Sequence, residues 1–172
     1  MLASDQLLTA MNRQVGNEFG ASLQYVSIAS YFDSQALTGL ARFFYRQADE
    51  ERDHAMKLVH FVVDAEGTLE IADIPAPKSG FSGAREAVQL ALDWEQEVTQ
   101  QIYGLVEIAK DDKNYIAQRF LDWFVNEQFE EVNTMSHLLQ VVDRAGEKGL
   151  LHVEEFLARE GSNFPAHEGE EA

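Results

Sequence analysis

A Glu-x-x-His pair interrupts the apolar face of a long helical segment in the first half of the chain. The face runs through Leu40, Phe44, Gln47, Glu51, His54, Leu58 and Phe61. Residues three apart on a helix have Cβ atoms roughly 5–6 Å apart, so Glu51 and His54 can bind one cation together. A buried carboxylate without compensation costs on the order of several kcal/mol. The pair therefore predicts a bound metal.

Each of four helical segments has one acidic residue near the middle of its apolar face. These residues are Glu18, Glu51, Glu95 and Glu131. A single glutamate there is more often a helix-edge residue, and a single histidine is more often a hydrogen-bonded core residue. Four carboxylates at matching depth match the charge of two divalent cations, and one of them, such as Glu51, can bridge both ions. Oxygen-rich ligation with imidazole favours iron or manganese and does not exclude zinc.

Helical periodicity covers most of the chain, and no segment shows the sustained alternation of a half-buried strand. The predicted fold class is therefore all-α. The predicted helices span about 4–37, 40–66, 82–110 and 114–145. Ser4 is the expected N-cap of the first helix, while Thr38-Gly39 and Gly67 are expected to end the first and second helices.

The lengths of the connections predict how the helices pair. A helix of about 27 residues is roughly 40 Å long, and an extended chain needs about twelve residues to cross that length. Segment 67–81, in which Pro75 and Pro77 prevent continued helix, is long enough, whereas the turns near Thr38 and Asp112 are not. We expect antiparallel hairpins for the first and last helix pairs and a long crossover between helices 2 and 3, which then run parallel.

A short fifth helix is predicted over 150–159. Alone it is too short to be stable, so its apolar residues Leu151, Phe156 and Leu157 are expected to dock on the bundle or on a neighbouring subunit. The following residues are polar, with Gly and Pro among them. The sequence thus predicts one domain over 1–161 and a disordered tail over 162–172.

Composition limits both the chemistry and the partners. The 172 residues are 45% hydrophobic and include no cysteine, which excludes disulfides, thiolate nucleophiles, Cys-based zinc sites and iron–sulfur clusters. The formal net charge is −17, so no nucleic-acid partner is expected. No apolar run reaches the ~18 residues of a membrane span and no secretory signal is recognised, so we expect a cytoplasmic protein without membrane contact.

Several stretches together resemble bacterial non-haem ferritins over nearly the whole chain. They are Asn17-Glu18-Phe19 with Tyr25, Glu50-Glu51-Arg52-Asp53-His54, Glu95, and Asn126-Glu127-Gln128. The resemblance implies a ferritin-like four-helix bundle with a ferroxidase centre inside one subunit. It implies one iron held by Glu18, Glu51 and His54 and a second held by Glu51, Glu95 and Glu131. It also implies a hollow shell, typically of 24 subunits, that stores ferric mineral.

The resemblance extends to residues around the metal pair. A third iron position is frequent in bacterial members of the family, and its ligands match Glu50, Glu127, Glu130 and Glu131; a solvated acidic edge is the alternative. Tyr25 and Trp123 are candidates to hydrogen-bond near the centre or to donate an electron, with an ordinary core role as the alternative. Gln128 matches an outer partner of the second iron, and it could equally fill the core.

Departures from neighbouring families narrow the prediction. Bacterioferritins have a second Glu-x-x-His on the fourth helix, and no glutamate of that helix has a histidine three residues later here. A bacterioferritin haem requires a methionine directly after the metal-binding glutamate, but Arg52 occupies that position, so no haem is expected. Rubrerythrins need cysteines for their electron-transfer module, and this chain has none, so the resemblance does not extend to rubrerythrins.

The predicted function is an iron-storage ferritin that oxidises Fe(II) with dioxygen or peroxide and keeps the ferric product as mineral. The surplus of acidic residues would then draw Fe(II) inward. One alternative is a small di-iron or di-manganese oxidase or peroxidase on the same bundle, without storage, which the size of the assembly would distinguish. A second alternative is a non-catalytic interaction bundle whose buried acids only specify helix register.

Overall fold

Helices account for nearly all regular structure in the computed structural model, which describes residues 2–160. They are α1 (Asp5–Ser34), α2 (Thr38–Asp64), α3 (Ala84–Asp111), α4 (Tyr115–Ala145) and α5 (Leu150–Glu160), with one 3₁₀ turn at Glu147–Gly149. No strand occurs in this part of the chain, and the all-α prediction is confirmed. Within the same residues, no helix is both long and apolar enough to cross a membrane. The predicted tail over 162–172 lies outside the described residues.

Three of the long helices are followed, two positions after their last residue, by a non-glycine residue with left-handed backbone geometry. The φ angles are 59° at Ala36, 61° at Glu66 and 52° at Lys113. After each of them, the next N–H donates to the carbonyl five residues back, as Leu37 does to Phe32 at 3.0 Å. The prediction that Thr38-Gly39 ends the first helix was wrong. Helix α1 ends at Ser34, and Thr38-Gly39 form the first turn of α2.

Gly67 has a packing role at the end of α2. The left-handed residue is Glu66, one position earlier, so backbone conformation does not require a glycine at 67. A Cβ atom at Gly67 would lie 2.8 Å from a methyl group of Leu8 on α1. The glycine therefore lets the start of the crossover pass close to α1.

Contacts between the helices give the predicted topology. In three helix pairs, residue numbers rise along one helix as they fall along the other, which makes each pair antiparallel. The contacts are Ser22–Ala48 and Tyr25–Phe44 between α1 and α2, Arg85–Asp143 and Glu95–Gln128 between α3 and α4, and Asn17–Gln101 and Tyr25–Glu95 between α1 and α3. Both α2 and α3 are therefore antiparallel to α1 and parallel to each other. The long crossover between α2 and α3 is confirmed.

Two side-chain amides of α1 hold this crossover along the bundle. Asn12 donates to the carbonyl of Thr68 at 2.9 Å and accepts from the N–H of Glu70 at 3.1 Å. Gln24 does the same with Lys78, donating to its carbonyl at 3.0 Å and accepting from its N–H at 2.8 Å. These amides satisfy backbone groups that lack regular secondary structure, and they fix the crossover in the same direction as α1.

Helix α5 packs on the bundle mainly through Val153 and Leu157, which are buried. Phe156 is partly buried against the same core, whereas Leu151 is 72% exposed and does not dock on the bundle. Its docking on a neighbouring subunit stays a prediction. Leu151 lies on the outer side of α5, whereas Val153 faces the core.

Glu154 of α5 caps the N-terminus of α2. Its carboxylate accepts from the N–H of Gly39 at 2.6 Å and from that of Leu40 at 2.9 Å, and α2 has no side-chain cap of its own. A carboxylate at a helix N-terminus satisfies unpaired N–H groups and interacts favourably with the helix dipole.

We expect Glu154→Ala to lower the free energy of unfolding by about 1–3 kcal/mol because two charge-assisted hydrogen bonds are lost. Urea titration of the metal-free protein measures this change. The control is Glu155→Ala, which removes an adjacent side chain that is 63% exposed. Equal stability of the two variants would contradict the capping role.

Candidate metal centre

A polar layer divides the core of the bundle into two apolar clusters. One cluster includes Phe32 and Phe44, and the other includes Met11 and Leu58. The layer between them consists of Glu18, Glu51, His54, Glu95, Gln128 and Glu131, each at most 3% exposed. Every one of these residues occupies an inward position of its helix, because the apolar repeat of each segment continues through it.

Ligand atoms converge in two overlapping groups within this layer. Glu18, Glu51 and His54 each offer one atom within 4.8 Å of the other two, and so do Glu51, Glu95 and Glu131. Glu51 belongs to both groups. A carboxylate shared in this way can bridge two neighbouring metal ions.

Several buried atoms of the layer have no hydrogen-bond partner among residues 2–160. They are Oε2 of Glu18, both carboxylate oxygens of Glu51 and of Glu131, Nδ1 of His54 and Oε1 of Gln47. Buried polar atoms in folded proteins are almost always paired, so unpaired atoms need a physical explanation. A set of oxygens with one imidazole nitrogen fits hard or intermediate cations such as iron and manganese.

Other side chains hold the remaining carboxylate oxygens in place. Tyr25, which is fully buried, donates its hydroxyl proton to Oε1 of Glu95, and Nε2 of Gln128 donates to Oε2 of Glu95 at 3.1 Å. Nε2 of Gln14 donates to Oε1 of Glu18 at 2.8 Å. The sequence prediction included Tyr25 and Gln128 but missed Gln14. Its spacing of one turn before Glu18 was the available signal.

The imidazole of His54 lies between two carboxylates and two aromatic rings. Nδ1 is 3.4 Å from Glu51 Oε2, and Nε2 is 3.5 Å from Glu127 Oε1. The ring of Trp123 meets the imidazole edge-on with 5.4 Å between centroids, and Phe124 does so at 6.1 Å. These contacts orient Nδ1 towards the carboxylates of the layer.

Burial and mutual repulsion change the protonation of the metal-free layer. Burial raises the pKa of Glu95 to about 7, although hydrogen bonds from Tyr25 and Gln128 oppose the shift. Burial also raises the pKa of Glu51 and Glu131, and the charge of Glu95 raises both further. Burial and then the charge of Glu95 raise the pKa of Tyr25, so its phenol keeps the proton that it donates to Glu95.

His54 also holds a proton more tightly than a free imidazole. Burial lowers its pKa, but the charge of Glu51 and a hydrogen bond to Glu127 outweigh burial, and the net shift is upward from 6.5. A metal binds neutral imidazole and ionised carboxylates, so metal binding must release protons from this layer.

Only some of the residues predicted to bind a third iron lie close to one another. Glu127 and Glu131 form a close group with His54, and no such three-ligand group in the described chain includes Glu50 or Glu130. Glu50 instead accepts a hydrogen bond from Gln47 on its own helix. A third iron position at Glu50, Glu127, Glu130 and Glu131 stays a prediction.

Comparisons with known proteins agree with this geometry. A family model described as a ferritin-like domain matches residues 8–145. The chain is 45% identical over 159 residues to ferritin BfrB of Mycobacterium tuberculosis, covering 92% of this chain and 87% of that protein. It is 38% identical over 146 residues to a bacterial non-heme ferritin of Staphylococcus aureus, covering 85% and 88%.

Solved structures give the same result for the fold. The crystal structure of an open-pore ferritin from the archaeon Archaeoglobus fulgidus superposes with a TM-score of 0.87 at 32% identity, covering 91% of this chain and 97% of that chain. The resemblance inferred from the motifs is therefore confirmed. A matching family model over 8–145 and relatives that align over most of both chains show that this chain belongs to the ferritin family.

Proposed function

We propose that the buried layer is a ferroxidase centre whose substrate is Fe(II). One iron binds to Glu18, Glu51 and His54, and the second binds to Glu51, Glu95 and Glu131. The observation that supports this assignment best is the pair of three-ligand groups that share Glu51. Both oxygens of Glu51 lack a hydrogen-bond partner within residues 2–160, so each is available to one ion.

The reaction transfers two electrons at once. Two Fe(II) ions become two Fe(III) ions while dioxygen takes up two electrons and two protons to give hydrogen peroxide, or hydrogen peroxide is reduced to water. Four carboxylates favour the more highly charged ferric ions, because buried negative charge attracts a trivalent ion more strongly than a divalent one. Gln128 and Tyr25 keep Glu95 oriented throughout the reaction.

Two aromatic residues are suited to further roles. Tyr25 hydrogen-bonds to a ligand of the second iron, and Trp123 contacts the histidine of the first. We propose that Tyr25 positions Glu95. When a single Fe(II) is bound, either ring can supply the second electron that reduces dioxygen to hydrogen peroxide and is itself left as a one-electron-oxidised radical. The proposal also includes a third iron bound near Glu127.

The proposal extends to storage in a shell of 24 subunits in the cytoplasm. A net charge of −17 favours the entry of Fe(II) and the nucleation of ferric mineral. We propose no haem, since the residue after Glu51 is Arg52, with a side chain that is 63% exposed.

Rapid-mixing kinetics test the proposed function. We expect His54→Ala to reduce Fe(II) oxidation to the rate in protein-free buffer, because the first iron loses its nitrogen ligand, while the shell stays assembled. The control is His60→Ala, an exposed histidine on the same helix. Iron retained per shell is counted after oxidation, and light scattering measures the assembly. Fast oxidation in His54→Ala, or a wild-type monomer or dimer that retains no iron, would contradict the proposal.

A further inference from the structure

Gln14 is a buried amide that contacts a carboxylate of the metal layer from outside the layer. It is 2% exposed, and its Nε2 donates to Oε1 of Glu18 at 2.8 Å, one turn along α1. The other oxygen of Glu18, Oε2, is buried without a hydrogen-bond partner in the described structure. The two oxygens of this carboxylate therefore have different surroundings.

A chain of amides fixes the orientation of Gln14. Its Oε1 accepts from Nδ2 of Asn17 at 3.2 Å, and the same Nδ2 donates to Oε1 of Gln101 on α3 at 2.9 Å. Nε2 of Gln101 donates to Glu97 at 3.3 Å. Carboxylates only accept hydrogen bonds, so Gln14 donates to Glu18 and Gln101 donates to Glu97. The amide of Asn17 lies between the two glutamines and donates to the oxygens of both. Nε2 of Gln14 must therefore point at Glu18.

The other carboxylates of the layer differ from Glu18 in the number of their oxygens that accept a hydrogen bond. Glu51 and Glu131 have two oxygens without partners among residues 2–160, and both oxygens of Glu95 accept hydrogen bonds. Only one oxygen of Glu18 is engaged by the protein. The carboxylates of the layer therefore differ in how many of their oxygens the protein hydrogen-bonds: none in Glu51 and Glu131, one in Glu18 and two in Glu95.

We propose that Gln14 is a positioning residue that restricts Glu18 to binding the first iron through Oε2 alone. This inference rests on the proposed ferroxidase centre. The hydrogen bond to Oε1 prevents the carboxylate from rotating to bind through both oxygens, and it aims Oε2 at Glu51 and His54. Residues that orient metal ligands typically contribute about 10–100-fold to metal affinity.

Two substitutions of Gln14 remove the donor and keep the size of the side chain. Gln14→Met and Gln14→Leu each replace the amide with an apolar group of similar size that can neither donate nor titrate. The matched control is Gln24→Met, which removes an equally buried amide of α1 that contacts the crossover instead of the metal layer.

Anomalous diffraction from crystals of assembled protein equilibrated with graded Zn(II) gives the occupancy of each site. We expect both Gln14 variants to bind Zn(II) at the first site about 10–100-fold more weakly, with unchanged affinity at the second site. We also expect Glu18 to bind through Oε2 alone in the wild type and through both oxygens in Gln14→Met. Gln24→Met should keep wild-type occupancies.

Wild-type affinity at the first site in either Gln14 variant that assembles would overturn the positioning role. An equal loss of Zn(II) affinity in Gln24→Met would also overturn it, because that result would indicate general loosening of α1. Binding of Glu18 through both oxygens in the wild type would overturn it as well. A wild-type protein that binds no metal in the layer would overturn the proposed function itself. Two occupied wild-type sites that are insensitive to Gln14 would overturn this inference alone.

Discussion

Glu51→Gln is expected to abolish binding of the metal pair and to reduce Fe(II) oxidation to the rate in protein-free buffer. Glu51 is the one ligand common to both groups in the layer, and a neutral amide oxygen cannot replace a carboxylate between two cations. A metal at 100 times its dissociation constant stabilises the wild-type fold by about 2.7 kcal/mol per site. We expect this stabilisation to disappear in the variant.

The same substitution should stabilise the metal-free protein near neutral pH. Burial, followed by the charge of Glu95, raises the pKa of Glu51, so an ionised Glu51 is unfavourable in the empty layer. Thermal unfolding with and without Zn(II) measures both effects. Asp53→Asn is the control because Asp53 lies between Glu51 and His54 in sequence with a side chain that is 74% exposed. A variant that still unfolds at a higher temperature with Zn(II) would contradict the shared-ligand role.

The metal-free protein is also expected to lose stability as the pH rises from about 4.5 towards 7. Glu95 has a pKa of about 7 in the folded state, against 4.5 for an ordinary glutamate, so the folded state binds more protons than the unfolded state in this range. Stability therefore falls with rising pH, and the loss from Glu95 is complete above its folded pKa. The raised pKa values of Glu51, Glu131 and His54 act in the same direction.

Glu86, whose pKa is lowered, does not reverse this trend. A hydrogen bond from Lys78 is the main cause that lowers the pKa of Glu86 to about 2, so its contribution is constant once the unfolded state has lost its proton, about one pH unit above 4.5. Thermal unfolding in the presence of a chelator measures the pH dependence. Glu95→Gln should flatten the curve, and a metal-free wild type that becomes more stable between pH 4.5 and 7 would contradict the assignment.

Metal affinity should change in the opposite direction over the same pH range. Zn(II) must displace the protons held by the layer, so its affinity is expected to increase about tenfold per pH unit for each proton displaced, and to level off above the pKa values. Calorimetry in two buffers with different ionisation enthalpies counts the protons released. Release of no protons at pH 6 would show that the layer is already ionised without metal.

Much of the candidate site was predictable because its residues follow local helical periodicity. Glu18, Glu51, His54, Glu95 and Glu131 each replace an apolar residue at an inward position, and a face can be recognised from a single helix. The antiparallel pairs were predictable from loop lengths, since a short turn cannot cross a long helix. A third position stays a prediction, because Glu50 and Glu130 lie at the edge of the inward faces, where small rotations decide their neighbours.

The sequence by itself determined the fold class, the topology, the family and which residues line the polar layer. These properties depend on spacing along the chain, and that spacing can be read from the apolar repeat and from the lengths of the connections. Only the tertiary structure decided how individual side chains pair: Gln14 with Glu18, Glu154 with the start of α2, and Val153 in place of Leu151 against the core. Such pairings depend on distances of a few ångströms between separate helices and on side-chain orientation, which periodicity along one helix does not specify.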